Sequence, residues 1–174
     1  MDVIGDWLIR LPDRYDHRGR LLPYALSFLC DPIISVQNRA LEILNTLGQE
    51  YESEHKEEIL EKRQYGVDGS RDSNHDLPLP NPFKQRPRIG TRMYVRDVVS
   101  RFLKPLLGEL RSWQSETREH AAKMLRVLLI FMEEHVTMEL KNVIAALLRN
   151  VSTDSIEKEI RECAQLVGRF VSVC

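Results

Sequence analysis

The chain has 174 residues, enough for one domain with a substantial core, and its 43% hydrophobic and 29% charged residues are typical of a water-soluble globular protein. Its 25 basic and 26 acidic side chains give a net charge of −1, which offers no electrostatic reason to expect a nucleic acid or an anionic membrane as partner. The longest apolar run, residues 127–132, is far too short to cross a bilayer.

The N-terminus and the cysteines predict a cytosolic, reducing location. Residues 1–6 lack the basic stretch that precedes the apolar core of a signal peptide. The three cysteines are scattered, so they form neither a disulfide framework nor a zinc ligand set. Cys30 and Cys163 fall at apolar positions of predicted helices, and we expect both to be small buried hydrophobic residues.

Three helices are predicted in the N-terminal part of the chain. The first spans residues 2–11 with an apolar stripe, and the second spans about 14–30, where Pro23 should introduce a kink. The third, with Ser35 as its N-cap, spans 36–51, and a continuation beyond this point is left open.

Residues 66–91 form a stretch of different composition. Glycine, serine and aspartate at its start, followed by Pro78, Pro80 and Pro82, predict a flexible, extended insertion that buries too little apolar surface to fold. The charge also changes sign across it. Residues 50–61 hold six glutamates and one lysine, whereas the basic run 84–101 holds six basic residues and one aspartate.

Four helices are predicted after the insertion, spanning about 93–110, 115–135, 136–151 and 155–173. Pro105 lies within the first of them, as Pro23 does in the earlier helix. The helix that starts at residue 115 is apolar over nearly half its circumference, so we expect it to be covered on two sides. No segment alternates with period 2, and no sheet is expected.

One helix pattern recurs three times in register. Each copy places an alanine at the same point, at Ala40, Ala121 and Ala164, and the spacings are 81 and 43 residues. The larger spacing equals one period plus an insertion, and repeats of this length form helix-pair solenoids, which present surfaces to partners. We expect the alanine to mark a close approach between helices, where a larger side chain would hold them apart.

The predicted fold is therefore an all-α solenoid of antiparallel helix pairs. It divides into one and a half repeats over 1–65, the flexible insertion 66–91, and two repeats over 92–174.

Five segments carry this register and its flanking turns: Leu21-Leu22-Pro23, Asp31-Pro32, Val36-Gln37 with Ala40, Leu103-Lys104-Pro105-Leu106-Leu107, and Thr117-Arg118 with Ala121. These segments resemble HEAT repeats. That family has a proline in the first helix, an Asp-Pro turn, and a Val-Arg pair followed by alanine in the second helix. The chain departs from the pattern at Gln37, which replaces arginine, at Ser112, which occupies the aspartate position, and in its third repeat, which lacks the proline.

Three stretches, residues 14–23, 82–90 and 113–138, resemble more specifically the HEAT-repeat dynein axonemal assembly factors. This resemblance implies a cytoplasmic factor that helps to pre-assemble axonemal dynein arms before their delivery to cilia. The partners it implies are dynein intermediate and heavy chains and chaperone-type assembly factors. The assignment follows from the resemblance alone, since the periodicity is silent on function.

No motif indicates an enzyme, a cofactor or a metal site. Glu116 and His120 lack the second histidine of a zinc-binding HExxH helix, and His135 lies too far along the chain to share a metal with His120. Glu133 and Glu134 are expected to be a solvated cluster rather than an acid–base pair. No nucleophile elbow or phosphate-binding glycine loop is present in the sequence.

Two groups of residues are candidates for partner contact. Gln37, Arg118 and Arg161 lie on the second helices, which line the inner face of a HEAT curve, although salt bridges within the repeats explain them equally well. Arg86, Arg88 and Arg92 belong to the basic run 84–101, for which a solvated helix start is the alternative.

The repeat pattern thus predicts a non-catalytic protein-binding scaffold, and the resemblance implies a role in dynein arm assembly. Two alternatives remain: a HEAT scaffold of another pathway, such as nuclear transport or phosphatase assembly, or a weak nucleic-acid-binding module that uses the basic run 84–101.

Overall fold

A computed structural model describes residues 1–64, 79–152 and 155–171. This part of the chain consists of helices and connecting turns and contains no strand, which confirms the all-α prediction. The helices are α1 (Asp2–Arg10), α2 (Arg14–Ser27), α3 (Ile34–Glu54), α4 (Lys56–Gln64), α5 (Ile89–Glu109), α6 (Ser115–Met132), α7 (Leu140–Asn150) and α8 (Glu157–Val171), with 3-10 segments at Phe28–Cys30 and Glu133–Glu139.

The chain forms two compact units, Met1–Asp97 and Val98–Cys174, and the boundary falls within α5. In the first unit, α1 packs on α2 and α3, and α3 packs on the 3-10 segment that ends α2. The interior of this unit is aliphatic because α1, α2, the 3-10 segment and α3 each contribute buried leucine side chains to it. Its fully buried side chains include Leu8, Leu22, Leu26, Leu29 and Leu44.

Polar contacts join α2 to α3 and to the first turns of α5. Arg14 donates to the Glu54 carboxylate at 3.1 Å, and Arg18 donates to Asp97 at 3.3 Å. The guanidinium of Arg18 also lies 5.4 Å from the ring centre of Tyr94, where a cation–π attraction adds to the ion pair. Burial raises the pKa of Tyr94 to about 12, so this ring is neutral at physiological pH.

Two glycines bring α3 and the start of α5 into close contact. A Cβ atom on Gly48 would lie 2.6 Å from the backbone nitrogen of Thr91, and one on Gly90 would lie 2.6 Å from Cγ of Glu52. The approach is fixed by the Thr91 hydroxyl, which donates to the carbonyl oxygen of Leu44 at 3.1 Å in a buried site. Only glycine leaves room for this separation of the two backbones.

In the second unit, α8 packs on α6, on α7 and on the Glu133–Glu139 segment. The last six residues of α6, 127–132, are all buried, and at 100° per residue they cover the whole circumference of the helix. The prediction that α6 is covered on two sides is confirmed. Cys163 of α8 is fully buried against the carbonyl of Ala122, whereas Cys30 is only half-buried, so the expectation of burial is right for one cysteine alone.

Several predicted helix ends are displaced, each for a local reason. The third helix ends at Glu54, because His55 has φ −115° and ψ 42°, and α4 begins at the next residue. The N-cap prediction for Ser35 is wrong, since α3 begins at Ile34; the Asp31 carboxylate instead accepts the backbone N–H of Ile33 at 2.8 Å.

The basic run and the end of α6 also differ from the predictions. α5 begins at Ile89, about one turn earlier than predicted. α6 ends at Met132 because Glu133 has a φ of 46°, which α-helices do not adopt. Glu133 is only 3% exposed, so the prediction of a solvated cluster is wrong at this residue.

The flexible insertion was predicted over residues 66–91. Residues 65–78 lie outside the described part of the chain. Phe83, which falls within the predicted insertion, is buried.

Candidate functional site

The six predicted contact residues fall into two structural settings. Gln37, Arg118 and Arg161 lie on α3, α6 and α8, three residues before the alanine of each repeat. The arginines of the basic run lie at or before the start of α5.

Gln37 binds the turn that precedes its own helix. Its side-chain amide donates to the carbonyl oxygen of Asp31 at 2.7 Å, across six residues. The carboxylate of Asp31 meanwhile holds the backbone of the same turn through Ile33. Gln37 therefore fastens the turn before α3, although it replaces the arginine expected of a HEAT repeat.

Arg118 makes the same contact in the next repeat. Its guanidinium donates to the carbonyl oxygens of Ser112 at 2.8 Å and Trp113 at 3.0 Å, and to the Ser155 hydroxyl at 3.4 Å. Ser112 stands nine residues before Ala121, as Asp31 does before Ala40, so the bond spans equivalent positions. The serine replaces aspartate without loss of this bond, because the acceptor is a backbone carbonyl.

Arg161 is the exception among the three. Its side chain is 68% exposed and pairs with Glu157 one turn earlier on the same helix, and no described bond ties it to the turn before α8. Arg161 is thus the most accessible of the three candidates. The turn held by Arg118 also presents an exposed side chain, since Trp113 is 87% exposed.

The start of α5 is built around Glu52 of α3. Arg88 donates to both carboxylate oxygens of Glu52, at 3.0 and 2.9 Å, and the N–H of Gly90 donates to one of them at 2.9 Å. Burial alone would raise the pKa of Glu52, but the hydrogen bonds from Arg88 and Gly90 outweigh it and hold that pKa below its usual value. Glu52 is therefore an ionised cap on the positive end of α5.

Around this cap lies the arginine pocket, a concavity of about 330 Å³. It brings together all three predicted arginines of the basic run, together with Glu52 and Arg63, which sequence reasoning missed. The signal for them was present as the glutamate-rich stretch 50–61, whose charge is complementary to the basic run. The lining consists of Glu52, Arg63, Arg86, Pro87, Arg88, Ile89 and Arg92.

The basic run is not the solvated helix start that was the alternative interpretation. Arg92 is 1% exposed and Arg96 is 8% exposed, so the expectation of solvation is wrong for both. Arg101, in the same run, is exposed. The run therefore contains buried structural arginines at its centre and an accessible one at its end.

The described residues offer no group of histidine, cysteine, aspartate and glutamate side chains placed to hold a metal ion. His120 is exposed and His135 is half-buried. Burial raises the pKa of the Cys163 thiol to about 12, which leaves it protonated and poorly nucleophilic at neutral pH.

Within the described ranges, no helix is long and apolar enough to span a membrane.

Comparison with known proteins shows to which family the chain belongs. Residues 79–173, more than half of the chain, match the family described as "Dynein axonemal assembly factor 5, HEAT-repeat domain". The chain belongs to the dynein axonemal assembly factor 5 family. Residues 1–62 match "Dynein axonemal assembly factor 5-like, TPR repeats". Both repeat classes are built from helix pairs and form α-solenoids, which agrees with the all-α fold, while the HEAT assignment of 1–65 stays a prediction.

Relatives from several species carry the name "Dynein axonemal assembly factor 5". The protein from Homo sapiens is 31% identical over 98% of this chain and 19% of its own length. Those from Xenopus laevis and Drosophila melanogaster are 27% and 28% identical, over 98% and 95% of this chain and 20% and 19% of their own lengths. The chain thus spans about a fifth of the length of the relatives it matches. No solved structure matches it.

Proposed function

We propose that this chain acts as a non-catalytic scaffold in the cytoplasmic pre-assembly of axonemal dynein arms. The observation that carries the proposal is membership of the dynein axonemal assembly factor 5 family, with both of its repeat regions matched. The partners we propose are dynein intermediate and heavy chains and chaperone-type assembly factors.

Hydrogen bonds that hold the turns before α3 and α6 support a scaffold role. Gln37 and Arg118 fasten equivalent turns by bonds to backbone carbonyls, which fixes each helix relative to the turn before it. A surface whose backbone is held in this way loses little conformational entropy when a partner binds. Trp113 and Arg161 are exposed on this framework, and both residue types are enriched among side chains that dominate protein interfaces.

The nucleic-acid alternative has less support from the structure. Arg92 and Arg96 are buried, and Arg88 is engaged by Glu52, so these side chains are not a continuous row of accessible cations. Nucleic-acid-binding surfaces need such a row to follow the phosphate backbone.

Affinity capture from ciliating cells tests the proposal. The full-length protein that carries this sequence serves as bait, and we expect dynein chains and chaperones among the captured proteins. Arg161→Glu should reduce their recovery, because it reverses the charge of an exposed candidate contact. The matched control is Arg111→Glu, the same change at another exposed arginine of the same unit. Recovery of neither dynein chains nor chaperones by the unaltered bait would refute the proposal.

A further inference from the structure

The helix α7 carries two apolar stripes that lie side by side. Val143 and Leu147 form the first stripe and are buried, and α7 packs on α8 and on the Glu133–Glu139 segment. Ile144, Leu148 and Val151 form the second stripe, and all three are exposed. Residues at spacings of four and three share one face of a helix, so these three side chains form a continuous apolar edge.

This apolar edge lies on regular helix backbone. Val151 follows the last residue of α7 but keeps helical angles, with φ −61° and ψ −26°, so the edge is about two turns long. Leu148 is 69% exposed, more than any other leucine among the described residues. The edge therefore suits a partner whose own apolar side chains recur at helical spacing.

The charged residues of α7 are both basic. Lys141 lies three residues before Ile144 and continues the apolar edge, while Arg149 borders the edge on the side away from the buried stripe. Both side chains are exposed, and within the described ranges neither forms a hydrogen bond or an ion pair. Lys141, Ile144, Leu148, Arg149 and Val151 together are called the outer face of α7.

Two nearby carboxylates are engaged by other side chains. Glu139, just before α7, accepts a hydrogen bond from the side-chain amide of Asn142 at 2.8 Å. Glu157, at the start of α8, pairs with Arg161 of its own helix. The two cations of α7 therefore give its outer face a formal charge of +2.

An apolar edge with basic residues is complementary to an acidic amphipathic helix. Such a helix presents apolar side chains at intervals of three and four residues, which match the spacing on α7, with carboxylates beside them. Opposite charges around an apolar contact select the partner and fix its orientation.

Two other occupants fit the outer face less well. A second copy of α7 would place charges of the same sign opposite each other, which opposes association. An anionic membrane is bound by clusters of basic residues, whereas this face has two and the chain has a net charge of −1.

We propose that the outer face of α7 docks an acidic amphipathic helix of a partner protein. Ile144, Leu148 and Val151 pack against the apolar side chains of that helix, and Lys141 and Arg149 pair with its carboxylates. This inference rests on the scaffold role proposed above and adds to it a defined surface and a class of partner segment.

Site-specific photo-crosslinking tests the surface. The full-length protein that carries this sequence is expressed in ciliating cells with benzoyl-phenylalanine in place of Leu148, and crosslinked peptides are sequenced by mass spectrometry. We expect a partner segment with apolar residues at helical spacing and aspartate or glutamate beside them. The matched control has the same replacement at Leu60, an exposed leucine of α4, and should not capture this segment.

The other crosslinking outcomes overturn the proposal. They are a basic or non-amphipathic segment, a segment of this protein itself, a lipid, or no crosslink at all from position 148. Capture of dynein chains and chaperones by the unaltered bait, without such a crosslink, would refute this surface and leave the scaffold role standing. A crosslinked acidic helix from a protein outside dynein assembly would do the reverse.

Variants measure what each part of the face contributes. The crosslinked segment is made as a fluorescent peptide, and its binding to the purified full-length protein is followed by anisotropy. Leu148→Asp should weaken binding about tenfold or more, because an apolar contact is lost. Lys141→Glu and Arg149→Glu should each weaken it about fivefold. Lys104→Glu, the same change at an exposed lysine of α5, is the matched control and should have no effect.

A charge swap separates a direct contact from a structural effect. A peptide whose carboxylates are replaced by lysine should bind the Lys141→Glu, Arg149→Glu double variant more tightly than the unaltered protein. Circular dichroism checks that each variant is folded. The proposal fails if the swapped peptide shows no such preference, or if Lys104→Glu weakens binding as much as Lys141→Glu.

Discussion

The three aligned alanines show how one sequence position acquires different environments. Ala40 and Ala121 are completely buried, as expected for a close approach between helices, but Ala164 is exposed. The burial that a packing point requires is therefore present in the first two repeats and absent in the third. Burial depends on what lies over the helix, which a residue's own sequence context does not encode.

This difference predicts opposite outcomes for one substitution. Ala121→Leu should destabilise the protein by about 1–3 kcal/mol, because the extra atoms have no space in a packed core. Ala164→Leu places the same side chain on an exposed helix face and should change stability by less than about 0.5 kcal/mol. Urea unfolding of both variants measures the difference. Equal losses would show that the alanine at 121 is not a special packing point.

Glu52 predicts a pH dependence of stability. Its pKa is lowered in the folded state, so its contribution is present above the pKa of the unfolded chain, about 4.3, and is lost as the pH falls through the lower folded value. Glu52→Gln should cost about 1–3 kcal/mol at pH 7, since Arg88 and Gly90 lose a charged acceptor.

Urea unfolding at pH 7 and pH 3 checks this prediction. The wild-type protein and Glu52→Gln should differ at pH 7, and the difference should shrink as the pH falls and the wild-type carboxyl becomes protonated. A difference between the two that stays constant across this range would contradict the role of the ionised carboxylate.

At the scale of elements, the contact between α3 and the start of α5 depends on glycine. Gly48→Ala should destabilise the protein by about 1–3 kcal/mol, because the new Cβ would overlap the backbone of Thr91. Gly168→Ala in α8 is the control, since nothing lies within 4 Å of the added atom. It should stabilise the helix by up to about 1 kcal/mol. Thermal unfolding compares the two, and a stabilising Gly48→Ala would show that the helices separate without cost.

The helices themselves were largely predictable, because apolar periodicity and turn residues are local signals. The turn at Asp31-Pro32 and the helix start at Ser115 are examples in which the chain's own chemistry is sufficient. Breaks that depend on one unfavourable φ angle, as at Glu133, leave no mark in an apolar pattern. The same holds for His55, which interrupts an otherwise continuous helical sequence.

The arginine pocket was predictable only in part. The basic run pointed to Arg86, Arg88 and Arg92, but the partner Glu52 lies 36 residues before Arg88, beyond the reach of local patterns. Burial of Arg92 was unexpected for the same reason, since arginine side chains are usually exposed to solvent unless a partner is known. Such long-range pairs are decided by the packing of helices that are distant in sequence.

At the scale of the whole molecule, the family match and the helix-pair fold agree with the scaffold role proposed above. The described residues contribute held turns, exposed Trp113 and Arg161, and an arginine pocket. The two exposed side chains are of residue types that are enriched in protein interfaces. The central claim, a role in dynein arm assembly, is a property of cells and is tested there.

The most direct measurement is the presence of dynein arms after the gene for this protein is disrupted in ciliated cells. Electron tomography of the axonemes should show microtubule doublets that have lost dynein arms, while native electrophoresis of the cytoplasm should show fewer assembled dynein complexes. Restoring the unaltered gene should return both to normal. Axonemes with a full set of arms, and cytoplasm with normal dynein complexes, would contradict the account.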